Sequence, residues 1–375
     1  MNQVYIVVQN LQIGGSQRIA LDEAYGFAEN GYSPILILLD DPKNLHLNKF
    51  LELERVLIEE LKITVVFAGK SRFDQLNFFR SIIITNNLSL EFISHVLRST
   101  VLIKLASLGH RPRVRVFTLI HQLPSLSSKS QRAKRFIYSY FSDHLFCYSE
   151  AVKSDWNKRL NSLVFLKFLF GKKEIKVLRN GVYLNRLPNY KPNLNIKNSS
   201  EKRLVYLGRN IAWKGIDKVI DLAKHSLFSE YSMLFMLPAL DEDFVADIPL
   251  DLLKRISFQV GKSFSSYEVK FGDIHIYPTN YGNNFDFIES VSINCLEMAC
   301  IGVPSMITEG GLSTWPELQN SPFIVEVNWH NINEGAIEIK KKAEYVFSEN
   351  EVTQVREVLN ISHHINFICS YFKNR

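Results

Sequence analysis

An α/β protein with two doubly wound parallel sheets is what this sequence predicts, on three observations. Short apolar runs rich in β-branched residues alternate with amphipathic helical patterns along the chain. That alternation is interrupted by a polar, helix-poor stretch over 189–200. The 375 residues, 46% hydrophobic, suffice for two ordinary domains. The implied division is 1–188, a linker at 189–200 and 201–354, with a C-terminal helix of about 355–375 packing back on the first domain.

In the first half, 4–8, 34–39, 63–67, 81–85, 114–120 and 144–148 read as short buried strands. Helical patterns fall between them at 17–30, 48–61, 90–105, 130–141 and 150–160. In the second half, 204–207, 233–237, 256–260, 274–277 and 303–308 read as strands, and 216–225 as a helix. A further helix is predicted from about Ser292 to Ile301, where Gly302 stops it, and an amphipathic one over 351–372. Two domains of this kind, facing across a cleft, bind ligands at the C-terminal ends of their strands.

The bulk numbers exclude several classes. Cys147, Cys295, Cys300 and Cys369 are scattered without ligand spacing, which fits a reducing, cytoplasmic compartment. No apolar run is long enough to span a membrane, and the first ten residues read as a buried strand, not a leader. The net charge of +6 is uneven: residues 1–182 hold 25 Lys and Arg against 15 Asp and Glu. Most of that excess falls in 101–180, with 16 basic residues against 4 acidic ones, so an anionic partner is expected for the first half.

Several short motifs carry chemistry. Gly14-Gly15-Ser16 follows the first strand and opens the first helix, where backbone N–H groups and the dipole favour an anion. The spacing is not that of a dinucleotide fingerprint. Gly208-Arg209 follows a strand and Lys214-Gly215 opens the next helix, a pairing suited to phosphate oxygens. His121 ends the strand 114–120, and Glu309-Gly310-Gly311 ends the strand 303–308. Glu289 and Glu297 stand eight residues apart, the first before the helix that starts near Ser292 and the second in its second turn, where both can hold ligand hydroxyls. Asp241-Glu242-Asp243 looks like a metal-binding Asp-x-Asp, but Pro238 separates it from its strand and an acidic loop is the simpler reading. No metal is expected. The segments 129–135 and 165–176 interleave basic and aromatic residues, and a membrane surface or a plain solvated face would each account for them.

Taken in order, these pieces resemble the glycosyltransferases of family 4, which have the GT-B fold: two Rossmann-like domains facing across a central cleft. The resemblance rests on Gly14-Gly15 with Arg18, His121, Ser149, Asn180-Gly181-Val182, Gly208-Arg209 with Lys214-Gly215, Glu289 with Glu297, Gly302-Val303-Pro304 and Gly310-Gly311. It implies retaining transfer of a hexose from a nucleotide-sugar, UDP- or GDP-linked, with no other cofactor and no metal. By that resemblance Arg209 and Lys214 hold the diphosphate, and Glu289 the sugar hydroxyls. Glu297 holds the ribose, Gly14 and Gly15 lie against the donor phosphate, and His121 lies near the reacting sugar. Gly208, Ser292, Ile293 and Asn294 complete the donor site. The acceptor implied is a glycan or lipid-linked intermediate of lipopolysaccharide, O-antigen or capsule synthesis. The enzyme would be cytoplasmic, peripheral on the inner face of the membrane, with no nucleic-acid partner. The family's Gly-Phe-Gly or Ser-Phe-Gly after the first glutamate is here Ser290-Val291-Ser292. The rival readings are a nucleotide-sugar epimerase, a phosphorylase, and a non-enzymatic polyanion-binding protein.

Overall fold

The computed structural model describes the chain apart from residues 1, 87, 111–112, 122–128, 163–172, 189–201, 212–213, 263, 271, 280–290, 344, 346 and 374–375, and the side chains of 45, 129, 159, 161–162, 314 and 373. The predicted linker at 189–200 therefore lies outside the described residues. The chain divides into two compact units, Met1–Tyr183 with Ile361–Arg375, and Leu184–Asn360.

The first unit holds a seven-stranded parallel sheet in the order β3-β2-β1-β4-β5-β6-β7 among the described residues. Its strands are β1 (Gln3–Val8), β2 (Ser33–Leu38), β3 (Thr64–Phe67), β4 (Leu90–Ser94), β5 (Val114–Ile120), β6 (His144–Cys147) and β7 (Ile175–Val177). Alternate residues of β1 enter two different cores. Val4, Ile6 and Val8 pack with the helix Gly15–Glu29, while Tyr5 and Val7 pack with Phe79 and Ile83 of the helix Arg72–Thr85. A sheet buried on both faces is why these strands read as continuous apolar runs.

The chain returns to this unit at its end. Ile361, Ile365, Ile368, Cys369 and Phe372 of the helix Ile361–Lys373 lie in the same core as β1. The approach is close enough that a Cβ on Gly26 would stand 2.8 Å from Ile365 Cγ1, and one on Gly181 2.5 Å from Ile361 Cα. Arg115, bound to Glu91, also donates to the carbonyls of Tyr371 (2.6 Å) and Phe372 (2.8 Å). Those carbonyls sit in the last turn of the helix, where a cation is favoured.

The second unit holds a six-stranded parallel sheet, β10-β9-β8-β11-β12-β13, among the described residues. Its strands are β8 (Arg203–Leu207), β9 (Ser232–Leu237), β10 (Ile256–Val260), β11 (Asp273–Tyr277), β12 (Ser305–Thr308) and β13 (Ile324–Val327). Arg203 on β8 and Asp273 on β11 form a buried ion pair at 2.7 Å between adjacent strands.

Two parallel sheets bear out the predicted α/β class, with local corrections. The expected strand 81–85 is the end of the helix Arg72–Thr85. Ser71 and Asp74 form a capping box, and Gln75, Phe79 and Ile83 supply a buried stripe at helical spacing, which overrides the β-branched run. The expected helix 90–105 begins as β4, a fully buried strand between β1 and β5, and becomes helical only at Leu97. The helix 48–61 breaks at Glu54, whose carboxylate accepts from Arg18 at 2.6 Å. The helix 351–372 breaks at Asn360, which has ψ 131.

His275 sits at the centre of β11, wholly buried, and shares a 2.9 Å hydrogen bond with Ser305. Burial pushes its pKa from 6.5 down to about 3. The unfolded chain then binds the proton first. Its contribution is complete above pH 6.5 and is lost as the pH falls toward 3, by about 1.4 kcal/mol per pH unit. Urea unfolding of the His275→Leu variant is expected to show a flatter loss of stability between pH 6 and 4 than the wild type. Equal slopes would contradict this assignment.

Candidate functional site

In each sheet the strand order reverses at one place, and ligands of doubly wound sheets bind there, beyond the strand C-termini. In the second unit the reversal lies between β8 and β11. Gly208 and Arg209 follow β8 directly. Arg209 is exposed, and its carbonyl accepts from the Tyr206 hydroxyl at 2.9 Å. Lys214 is buried, and its ammonium donates to the Tyr277 hydroxyl at the end of β11, 4.7 Å from that ring's centre. Gly215 caps the helix Ile216–Lys224 with φ 68, and a Cβ there would meet the Pro278 carbonyl oxygen at 2.0 Å. Only glycine fits the handover from Lys214 into the helix.

The helix Ile293–Cys300 enters the same place. Ser292 precedes it without a side-chain cap, and Asn294 donates to the Leu207 carbonyl at 3.1 Å, joining the start of this helix to the end of β8. Ser292, Ile293, Asn294, Gly208, Arg209 and Lys214 thus gather at the switch point of one sheet. An uncapped helix N-terminus beside two cations is suited to phosphate oxygens. Gly302, with φ 78, ends the turn after the helix as predicted. Glu297 is buried in the helix's second turn, and Arg186 of the short turn Leu184–Arg186 donates to its carboxylate. Glu289 lies outside the described residues.

In the first unit the reversal lies between β1 and β4. Gly14 caps the helix Gly15–Glu29 in extended backbone, without a side-chain cap. Arg18 is not presented to a ligand: it is buried against Glu54 and stacks on the Phe50 ring at 4.3 Å. His121, just past β5, keeps part of its surface exposed. Its Nε2 lies 2.9 Å from Nδ1 of His95, which follows β4. His95 Nε2 is 2.8 Å from Glu23, and the other oxygen of Glu23 is 2.8 Å from His364. Burial alone would raise the Glu23 carboxyl, but the hydrogen bonds it accepts from His95 and His364 help hold it at about 2. Burial pushes His121 down to about 3.

Sequence reasoning missed Tyr277, Arg186, Glu23, His95 and His364. A polar tip on the last residue of a predicted strand was the available signal for Tyr277. His95 was hidden because β4 reads as helix. Asp241 has a local structural job, accepting from the Asp243 N–H at the start of the helix Glu242–Ala246. Among the described residues, no cluster of three His, Cys, Asp or Glu is placed to hold a metal, and no helix is long and apolar enough to cross a membrane.

The sequence matches no family model and no curated protein. Its structure resembles HepE of Anabaena in complex with UDP, at 14% identity over 100% of both chains and a TM-score of 0.69. It also resembles the lipopolysaccharide outer core galactosyltransferase WaaB, at 12% identity over 100% of both chains and a TM-score of 0.63. A third neighbour is an α-glucosyltransferase in complex with UDP and a 13-mer DNA, at 12% identity over 98% of each chain and a TM-score of 0.67. At these identities the likeness establishes the fold, which is GT-B. Because the third neighbour holds DNA, these structures lend no support to the expected exclusion of nucleic acid.

Proposed function

We propose that this protein is a glycosyltransferase that takes its sugar from a UDP-linked donor and transfers it with retention of anomeric configuration. The observation that carries the reading is the second unit's switch point, where the Gly208-Arg209 turn, buried Lys214 and the uncapped start of the helix Ile293–Cys300 meet. Breaking the bond from sugar to phosphate sends an electron pair to the leaving diphosphate and leaves positive charge on the ring. Fixed cations beside that phosphate lower the barrier because they need no reorganisation. Arg209 and Lys214 take this role, and Tyr277 holds the Lys214 ammonium in place. Glu297 takes the ribose, its carboxylate oriented by Arg186. Glu289 takes the sugar hydroxyls. In the first unit, Gly14 and Gly15 serve the donor phosphate, and His121 serves the sugar.

A thermal-shift series with UDP-, GDP-, ADP- and CMP-sugars tests the donor. A ligand that binds only the folded chain stabilises it by about 2.7 kcal/mol at a hundred times its Kd. UDP-sugars are expected to raise the melting temperature most. No shift with any of the four would sink the reading.

The acceptor we favour is a lipid-linked glycan of surface-polysaccharide assembly, met at an anionic membrane by the basic first unit. The helix Lys129–Tyr140 buries Phe136 and Tyr140 beside Trp156, exposes Lys134 and half-buries Arg132 and Arg135. Its free positive face is thus smaller than the sequence alone implies. Reversing Lys134 and the exposed Lys158 together to Glu is expected to weaken binding to anionic vesicles by at least about tenfold, at roughly 1 kcal/mol per cation lost. Unchanged co-sedimentation at low salt would argue against a membrane role.

A further inference from the structure

We propose that Glu23, His95 and His364 form a buried positioning relay that fixes the tautomer of His121, so that His121 offers Nδ1 as a hydrogen-bond acceptor. The proton positions follow from the partners. His364 Nδ1 lies 2.8 Å from the Arg179 carbonyl and its Nε2 2.8 Å from the Glu23 carboxylate, so both ring nitrogens face acceptors and both carry hydrogen. One cation on His364 balances the one anion on Glu23. His95 has a side-chain exposure of 3%, and a second cation there would have to share the single Glu23 carboxylate with His364 inside the core, which is costly. His95 is therefore neutral. Its Nε2–H donates to Glu23, which leaves Nδ1 as an acceptor. His121 must then donate Nε2–H to His95 and keep its lone pair on Nδ1. The Tyr148 ring, centred 5.0 Å away, and the stacked His95 ring, at 5.1 Å, fix the plane of the imidazole.

The relay and His121 draw on four segments far apart in sequence: the first helix, the turn after β4, the turn after β5, and the returning C-terminal helix. An acceptor at His121 suits a ligand hydroxyl and disfavours a carbonyl or phosphate oxygen. What that hydroxyl belongs to rests on the glycosyl-transfer reading, under which it is a sugar hydroxyl. The proton pattern itself does not depend on that reading.

The full chain with 15N-labelled histidine rings, observed at pH 7 by two-bond proton–nitrogen correlation, tests the relay. Single replacements of His95, His121 and His364 by Gln assign the signals. The expected pattern is Nε2–H alone on His121 and on His95, and both nitrogens protonated on His364. A proton on Nδ1 of His121, or two protons on its ring, overturns the proposal. In Glu23→Gln, His364 is expected to lose its second proton and His121 to populate both tautomers; a single unchanged tautomer of His121 there also overturns it. If that variant does not fold, the wild-type spectrum still decides.

Turnover supplies a second readout. His95→Gln keeps a polar group toward Glu23 and removes the acceptor that His121 donates to. It is expected to lower kcat by about 10²-fold, as for a misplaced group, with the KM for the donor little changed. Wild-type kcat in folded His95→Gln contradicts a positioning role. No turnover with any nucleotide-sugar, alongside the expected spectrum, sinks the transfer reading and leaves the relay standing.

Discussion

Replacing Lys214 by Ala is expected to lower kcat/KM for transfer by about 10²–10³-fold, the usual cost of removing one preorganised group from a site of developing negative charge. The ammonium is buried beside the Tyr277 ring, so water screens it little and its effect on a leaving phosphate is large. Tyr277→Phe keeps the ring and removes the hydroxyl. It is expected to give a smaller loss in the same direction, because Lys214 then loses one fixing contact. Glu289→Gln is expected to abolish turnover while the fold survives. Calorimetry with UDP separates the roles, since Lys214→Ala weakens nucleotide binding and Glu289→Gln does not. Unchanged UDP affinity and turnover in Lys214→Ala would remove the phosphate assignment.

Arg186→Met should destabilise the second unit by about 3–5 kcal/mol, because it breaks a buried ion pair by removing one partner. Both side chains of the Arg186–Glu297 pair are 2% exposed, which sets it apart from surface pairs worth about 1 kcal/mol or less. Urea unfolding measures the loss. A change below about 1 kcal/mol would show that the pair is not what orders this corner of the unit. The double variant Arg186→Met with Glu297→Gln is expected to be more stable than Arg186→Met alone, since a buried negative charge no longer has to stand without its Arg186 partner. Glu297→Gln alone separates anchoring from ligand contact. If Glu297 also meets the ribose, this variant loses UDP affinity beyond its loss of stability.

That Gly208, Arg209 and Lys214 come together followed from position, whereas Ser292 and Asn294 were expected only by the family resemblance. Each of these three stands just past a strand end or just before a helix start, and a doubly wound sheet brings such positions together at its switch point. Gly215 and Gly302 were legible for the same local reason, since both take positive φ. The two ends of helix 72–85 and the start of β4 were not. There, β-branched content and apolar run length point one way, while a capping box and burial at the sheet centre decide the other.

Local period, turn chemistry and chain order were enough to place the two parallel sheets, the loops that follow their strands, and the glycines and cations those loops carry. It took the packed chain to show that Arg18 answers Glu54, that Arg186 holds Glu297, and that His121 is backed by His95, Glu23 and His364. Those partners lie between 26 and 341 residues apart, and no local pattern encodes a contact made only when distant polar side chains are buried together in one core.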